Sequence, residues 1–173
     1  MAYPKITVNT GKALAVIASD TIPIPSPNAV QLTGTTSAAS SNKLVAVGSD
    51  FSNVVVGDIV YNTTDNTVAT VTAIDSETIL SISADIFTSP EDFIVFQAGP
   101  QFETRIESST GCLLYVGANA LNLTACDVKV KTVAGSIVTF KAFPVGRYLP
   151  VQVVQLYATG TTDTTDNNCL AIW

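Results

Sequence analysis

An alternation of apolar and polar positions predicts β-strands in the last third of the chain. In residues 128–132 two valines alternate with two lysines, the two-residue period of a strand with one buried face. A short turn at 134–136 then leads into the apolar run 137–140. Two such runs joined by a tight turn that contains glycine predict a β-hairpin.

The same pattern predicts strands elsewhere in the chain. In the run 151–157 the adjacent apolar residues Val153 and Val154 break the alternation, which predicts a bulge or a strand buried on both faces. Because Thr, Ser, Val and Ile are frequent while Glu, Lys, Arg and Met are few, we expect almost no helix. The other predicted strands outside the middle third are 12–17, 102–106, 112–117 and 170–173. We expect Trp173 to pack against the core at a sheet edge.

The middle of the chain shows a regular spacing of short strands and turns. Short alternating runs are separated by turn signals every 8–12 residues, which predicts a small antiparallel barrel or meander. A proline-rich connector at 22–27 precedes this segment, and Ala-Gly-Pro at 98–100 follows it. The sequence therefore predicts an outer β-sandwich from residues 1–28 and 98–173, with an inserted β-module at 29–97. The strands predicted within the insert are 53–56, 59–61, 67–74, 78–82 and 93–96.

The acidic residues are concentrated in the insert. The chain carries a net charge of −6, and residues 30–97 hold one lysine against eight acidic residues, a net charge of −7. Only Lys129, Lys131 and Lys141 cluster, and we expect them to form the solvated face of one hairpin. This balance argues against a nucleic-acid partner, since phosphate binding needs clustered Lys and Arg.

Reactive side chains are scarce. The chain has no histidine, so it lacks the commonest general base and the commonest transition-metal ligand. Glu103 and Glu107 lie in a strand and turn context that does not predict an acid/base pair. The Asp- and Asn-rich loop at 163–168 lacks the Gly and terminal Glu of a calcium loop. We therefore predict no catalytic, cofactor-binding or metal-binding residues, and no enzyme activity.

Three cysteines, Cys112, Cys126 and Cys169, form an odd set without CxxC spacing. We expect buried thiols in a reducing compartment, and the spacing selects no pair should one disulfide form. The apolar run at 13–18 is too short for a signal core, and no run approaches the ~20 apolar residues of a membrane helix. We expect a soluble protein synthesised in a cytoplasm, without a membrane partner, with residues 1–10 as an arm that reaches a neighbouring subunit.

Seven short stretches occur in an order and spacing that resemble small virion proteins of tailed phages. The nearest resemblance is to the spike-base proteins on the heads of gene transfer agents and to related phage head-decoration proteins. Residues 15–21 also resemble the opening strand of that family, and 56–87 resembles a β-module of other phage structural proteins. The seven stretches are LLYVG at 113–117, DVKV at 127–130, GSIVTF at 135–140, FPVG at 143–146, LPV at 149–151, ATGTT at 158–162 and LAIW at 170–173.

The strand pattern predicts an all-β fold, an antiparallel, jelly-roll-like β-sandwich with the inserted module. The resemblance implies a capsid decoration or cement protein on the virion surface, made in the host cytoplasm. Its partners would be the major capsid protein and further copies of the chain, most simply as a homotrimer. The alternative is a spike base or fibre adaptor that binds another spike protein or a host-surface glycan. For a glycan, Tyr61 is the one obvious aromatic candidate in the insert.

Overall fold

The fold is all-β, with two antiparallel six-stranded sheets, as the sequence predicts. The computed structural model describes residues 11–88, 90–98, 111–118, 123–162 and 169–173. Within these ranges the one helical element is a short 3₁₀ turn, Pro27–Ala29. The strands are β1 Ala13–Ala15, β2 Val30–Thr35, β3 Lys43–Val45, β4 Ile59–Asn62, β5 Thr67–Ser76, β6 Ile79–Ile82, β7 Asp92–Phe96, β8 Cys112–Val116, β9 Ala125–Thr132, β10 Ile137–Pro144, β11 Arg147–Leu156 and β12 Cys169–Ile172.

The first sheet has the strand order β1-β12-β8-β11-β9-β10. The predicted hairpin is confirmed as β9 and β10, and the predicted bulge is confirmed as a register shift between Val153 and Gln155. One face of the sheet forms a core, and Trp173 packs against it as predicted, although the preceding strand β12 lies between β1 and β8 and not at the sheet edge. The buried side chains of this core come from β8, β9, β11, β12 and the residue after β1: Val16, Cys112, Leu114, Val116, Cys126, Val128, Val130, Leu149, Val153, Leu156, Cys169 and Ala171.

The second sheet has the order β2-β7-β4-β5-β6-β3 and curls around a separate core. The chain just beyond edge strand β2 meets the other edge strand, β3, in a β-bridge between Ala38 and Val45, where the Ser37 N–H donates to the Val45 carbonyl at 2.8 Å. Two phenylalanines, Phe51 and Phe93, lie at the centre with ring centroids 6.1 Å apart. Each buried phenylalanine contributes about 1.5–3 kcal/mol by leaving water. The curled sheet agrees with the barrel or meander predicted for this segment.

The prediction of a strand over 53–56 was wrong. In the structure these residues form turns, because the buried Asp58 carboxylate accepts the Val55 N–H at 2.9 Å and holds the chain in a reversal. Strands β2 and β3 were not predicted. The first contains Gly34 and two threonines and the second has three residues, so neither gives a clear apolar pattern.

A third apolar cluster joins the two sheets. Ile17 and Ile22, which follow β1, pack against Ile59, Tyr61 and Phe96 on the outer surface of the second sheet. All strands of the second sheet lie within residues 30–96, and those of the first lie at 13–15 and 112–172. The boundaries of the predicted domains remain a prediction. The predicted arm at 1–10, the predicted strand at 102–106 and most of the Ala-Gly-Pro segment at 98–100 lie outside the described residues.

Candidate interaction surface

Part of the outer face of the first sheet, along β8, β12 and the start of β11, is apolar, although it lies opposite the core. Along β8, Cys112, Leu114 and Val116 point into the core, so Leu113 and Tyr115 point the other way. Antiparallel pairing places Tyr115 between Leu170 of β12 and Tyr148 of β11, and Leu113 between Ile172 and Gln152. We call the five apolar members of this patch the tyrosine face: Leu113, Tyr115, Tyr148, Leu170 and Ile172.

The two tyrosines lie at the exposed end of this face. Their ring centroids are 5.2 Å apart and the ring planes are tilted by 58°. Tyr148 is 55% exposed, while Tyr115 is half-buried. An exposed aromatic pair offers apolar area together with phenolic groups that form hydrogen bonds, a combination enriched at protein interfaces.

The local chain path explains why Tyr148 faces outward. The turn before β11 contains Gly146 at φ +77°, and the Gly146 N–H donates to the Val116 carbonyl at 2.6 Å. The register of β11 against β8 then shifts between Tyr148 and Gln152. Leu149 enters the core, where it is 1% exposed, and Tyr148 stays beside Tyr115. The sequence analysis missed this pair because the adjacency of β8 and β11 is not visible in the pattern.

The glycan candidate predicted in the insert, Tyr61, is not an exposed platform. Its side chain is 2% exposed and lies against Phe96, with ring centroids 5.1 Å apart. Burial raises the pKa of its phenol far above the ordinary value. The prediction was wrong because Ile17 and Ile22 of the outer segment cover this part of the second sheet.

Two acidic side chains of the second sheet are buried and serve the fold. Asp58 is fully buried and accepts from Gln31 Nε2, Val55 N and Ala98 N at 3.1, 2.9 and 3.0 Å. Glu91 is 5% exposed and accepts from Asn62 Nδ2 at 3.0 Å and from Thr88 N at 3.2 Å. Buried carboxylates with this many donors are structural groups.

The other acidic residues of this sheet lie at the surface. Asp75 forms an ion pair with Lys43 at 2.6 Å, and this contact lowers the pKa of the Asp75 carboxyl. Glu77 is exposed and forms no ion pair with any residue in the part of the chain that the structure describes. The second sheet therefore presents a mainly negative surface to solvent.

The lysine cluster of the first sheet is partly engaged. The ammonium of Lys141 pairs with Asp127 at 2.6 Å, which lowers the pKa of that carboxyl. Lys129 Nζ lies 5.0 Å from the centroid of the Tyr157 ring. These contacts agree with the interpretation of the cluster as one face of a hairpin.

The three cysteines are buried as thiols, as predicted. Burial raises the pKa of Cys112 and of Cys169 to about 12, with a smaller effect of Cys126 on Cys169. Among the described residues no three acidic or cysteine side chains come close enough to hold a metal ion. Glu103, Glu107 and the loop 163–168 lie outside the described residues.

No protein-family model, curated protein or solved structure matches the chain. Within the part of the chain that the structure describes, no helix is long and apolar enough to cross a membrane.

Proposed function

We propose that the protein is a structural component of a tailed-phage virion that decorates and stabilises the capsid. The observation that carries this proposal is the tyrosine face, an apolar outer surface on a sheet whose other face is already filled by its own core. A sheet with an apolar patch on the face opposite its core is suited to packing against another protein. From the resemblance of residues 113–173 to phage head-decoration proteins, we infer that this other protein is the major capsid protein.

The charge distribution supports the same arrangement. Residues 30–97 carry a net charge of −7, and the remainder of the chain carries +1. A near-neutral sheet with an apolar face is suited to an interface, while the acidic second sheet is suited to solvent. In this proposal the tyrosine face lies on the capsid shell and the second sheet projects from it. The protein has a binding role and no catalytic one.

Co-sedimentation with capsid shells tests the proposal. Purified protein is mixed with shells that are assembled from the major capsid protein and lack the decoration. We expect saturable binding by the native chain and loss of binding for Tyr148→Ser, which removes an exposed ring without touching the core. Ile74→Ser is the matched control, because Ile74 is 42% exposed on the second sheet. Native protein that stays in the supernatant, or equal binding by both variants, would contradict the proposal.

A second function is favoured by the aromatic pair itself. Exposed Tyr148 beside Tyr115 has the stacking surface that sugar rings prefer, so the same face suits a spike base or fibre adaptor that binds a glycan or another spike protein. A glycan array with native protein and Tyr148→Ser separates the two functions. Binding that is lost in the variant favours the adaptor, and a blank array favours decoration.

A further inference from the structure

Strand β10 is a long edge strand of the first sheet, and in the part of the chain that the structure describes no other strand covers its outer edge. In the first sheet the opposite edge, β1, has three residues. In the second sheet β3 forms a bridge through Val45 to Ala38, which lies in the chain just after β2. Strand β10 has eight residues. Long uncovered edges are templates for further strand pairing, and proteins normally protect them.

Only the second half of β10 has such protection. There Lys141 carries a charge, Ala142 adopts φ +47° in a bulge, and the strand ends at Pro144. Charges, bulges and prolines all oppose edge pairing. The first half, residues 137–140, has none of these features.

The hydrogen-bond pattern shows which backbone groups this edge offers. The Thr132 N–H donates to the Ser136 carbonyl, so residues 136 and 132 form a hydrogen-bonded pair of the hairpin. Such pairs recur at every second residue, which directs the backbone of Val138 and of Phe140 toward β9. Ile137 and Thr139 therefore direct their N–H and C=O groups to the open side.

The side chains at this edge are apolar and uncovered. Ile137 is 58% exposed and Val138 is 40% exposed. Val138 lies opposite Val130 on the core face of the sheet, and the next residue on that face, Phe140, packs against the core. The core of the first sheet is thus open on the side of β10.

We propose that a second copy of this chain covers the edge by antiparallel pairing of β10 with β10. The two-fold axis passes at Val138, so that Ile137 of each copy pairs with Thr139 of its partner copy. This register uses the four open backbone groups of each edge, brings the two Val138 side chains together, and stops before the bulge. Residues 136–140 carry no charge, and Lys141 is already paired with Asp127, so like charges do not meet.

Pairing of this kind is isologous and gives a dimer with a continuous twelve-stranded sheet. It differs from the trimer implied by the resemblance to head-decoration proteins. It does not depend on the proposed function, because it rests on the edge and not on the tyrosine face.

Sedimentation equilibrium of the full chain tests the proposal. We expect a dimer for the native protein, and dimerisation weakened about tenfold or more by either of two substitutions. Val138→Lys places two ammonium groups at the two-fold axis, and Thr139→Pro removes an outward N–H that the β9 pairing does not use. Ile74→Lys, an exposed apolar position on the second sheet, should remain dimeric. A native monomer, a trimer, or a dimer that survives both substitutions would overturn the proposal.

Cysteine cross-linking tests the register without relying on the folding of those variants. Opposed residues in a non-hydrogen-bonded antiparallel pair lie about 4.5 Å apart at Cα, within the range that a disulfide spans. Val138→Cys should form a covalent dimer on oxidation, whereas Ile137→Cys, which lies opposite Thr139, should not. Equal cross-linking of the two variants would overturn the register and with it the two-fold pairing.

Discussion

Asp58 Oδ1 accepts a hydrogen bond from the backbone N–H of Ala98 at 3.0 Å, and so joins the start of β4 to the chain just beyond β7. The other carboxylate oxygen accepts from the Gln31 side chain in β2. One buried group therefore holds the chain where it enters the second sheet and where it leaves it. A Gly-Asp pair between two apolar runs is typical of a turn, and in the structure this aspartate also has the larger role of holding both ends of the sheet.

Replacing Asp58 should destabilise the protein strongly. Asp58→Ala leaves buried donors of Val55, Ala98 and Gln31 without their acceptor, and each such loss costs about 1–3 kcal/mol. We expect the free energy of unfolding to fall by about 3 kcal/mol or more in urea titrations. Asp85→Ala removes an exposed carboxylate that accepts from Ser41 and Asn42, and should cost less than about 1 kcal/mol. Similar losses for the two variants would contradict the assigned role.

Asp65 should oppose folding at neutral pH. A hydrogen bond with Glu91, loss of solvent and the charge of Glu91 raise the pKa of the Asp65 carboxyl. A raised folded pKa favours the protonated form, so its stabilising effect is full at low pH and is lost as the pH rises through the folded pKa. Asp65→Asn stays neutral, and should therefore raise Tm at pH 7 but not at pH values below the ordinary carboxyl pKa.

The control for this prediction is Glu77→Gln, which removes an exposed negative charge from the same sheet. Each variant is compared with the native protein at the same pH, so the pH-dependent contributions of Asp75 and Asp127 to stability, which both proteins share, cancel. Their pKa values are lowered by Lys43 and Lys141, so their contributions to stability are lost as the pH falls. A gain in Tm that is the same for both variants, or independent of pH, would count against the Asp65 assignment.

The thiols should be unreactive in the folded protein. Thiolate is the nucleophile, and burial raises the pKa of Cys112 and Cys169 to about 12. We expect Ellman's reagent at pH 8 to react slowly with the native protein and with three thiols per chain in guanidinium chloride. Stability should also fall as the pH rises above the ordinary thiol value of 9.0, since the unfolded chain ionises first. Rapid labelling of native protein would show that the core of the first sheet does not shield these thiols from the reagent.

Two glycines with positive φ should differ in their tolerance of alanine. At Gly111, φ is +62°, and a Cβ would overlap Val133 Cγ2 and lie 2.9 Å from the Val153 carbonyl oxygen. At Gly135, φ is +85° and a Cβ would have nothing within 4 Å. Gly135→Ala should cost about 1–2 kcal/mol from the backbone alone, and Gly111→Ala about 2–4 kcal/mol because the neighbours must also move. Equal losses of Tm for the two variants would show that the neighbours of Gly111 add nothing to the cost of the alanine side chain.

Local patterns predicted the parts of the fold that local pairing decides. The β9–β10 hairpin, the bulge after Val153 and the C-terminal strand β12 all follow from alternation and turn residues. Strand β2 was missed because its pairing with β7 spans more than fifty residues, and its own alternation is weak around Gly34. The interaction surface could not be predicted, since it depends on which strands become neighbours. Tyr61 is covered by Ile17, whereas Tyr148 is left exposed beside Tyr115.

An electron-microscopy map of the whole particle is the most direct test of the proposed function. We predict density for this protein on the outside of the capsid shell, with Tyr115 and Tyr148 at the contact with the major capsid protein and residues 30–97 directed to solvent. Absence of the protein from the particle, or contact with the shell through residues 30–97, would contradict the account.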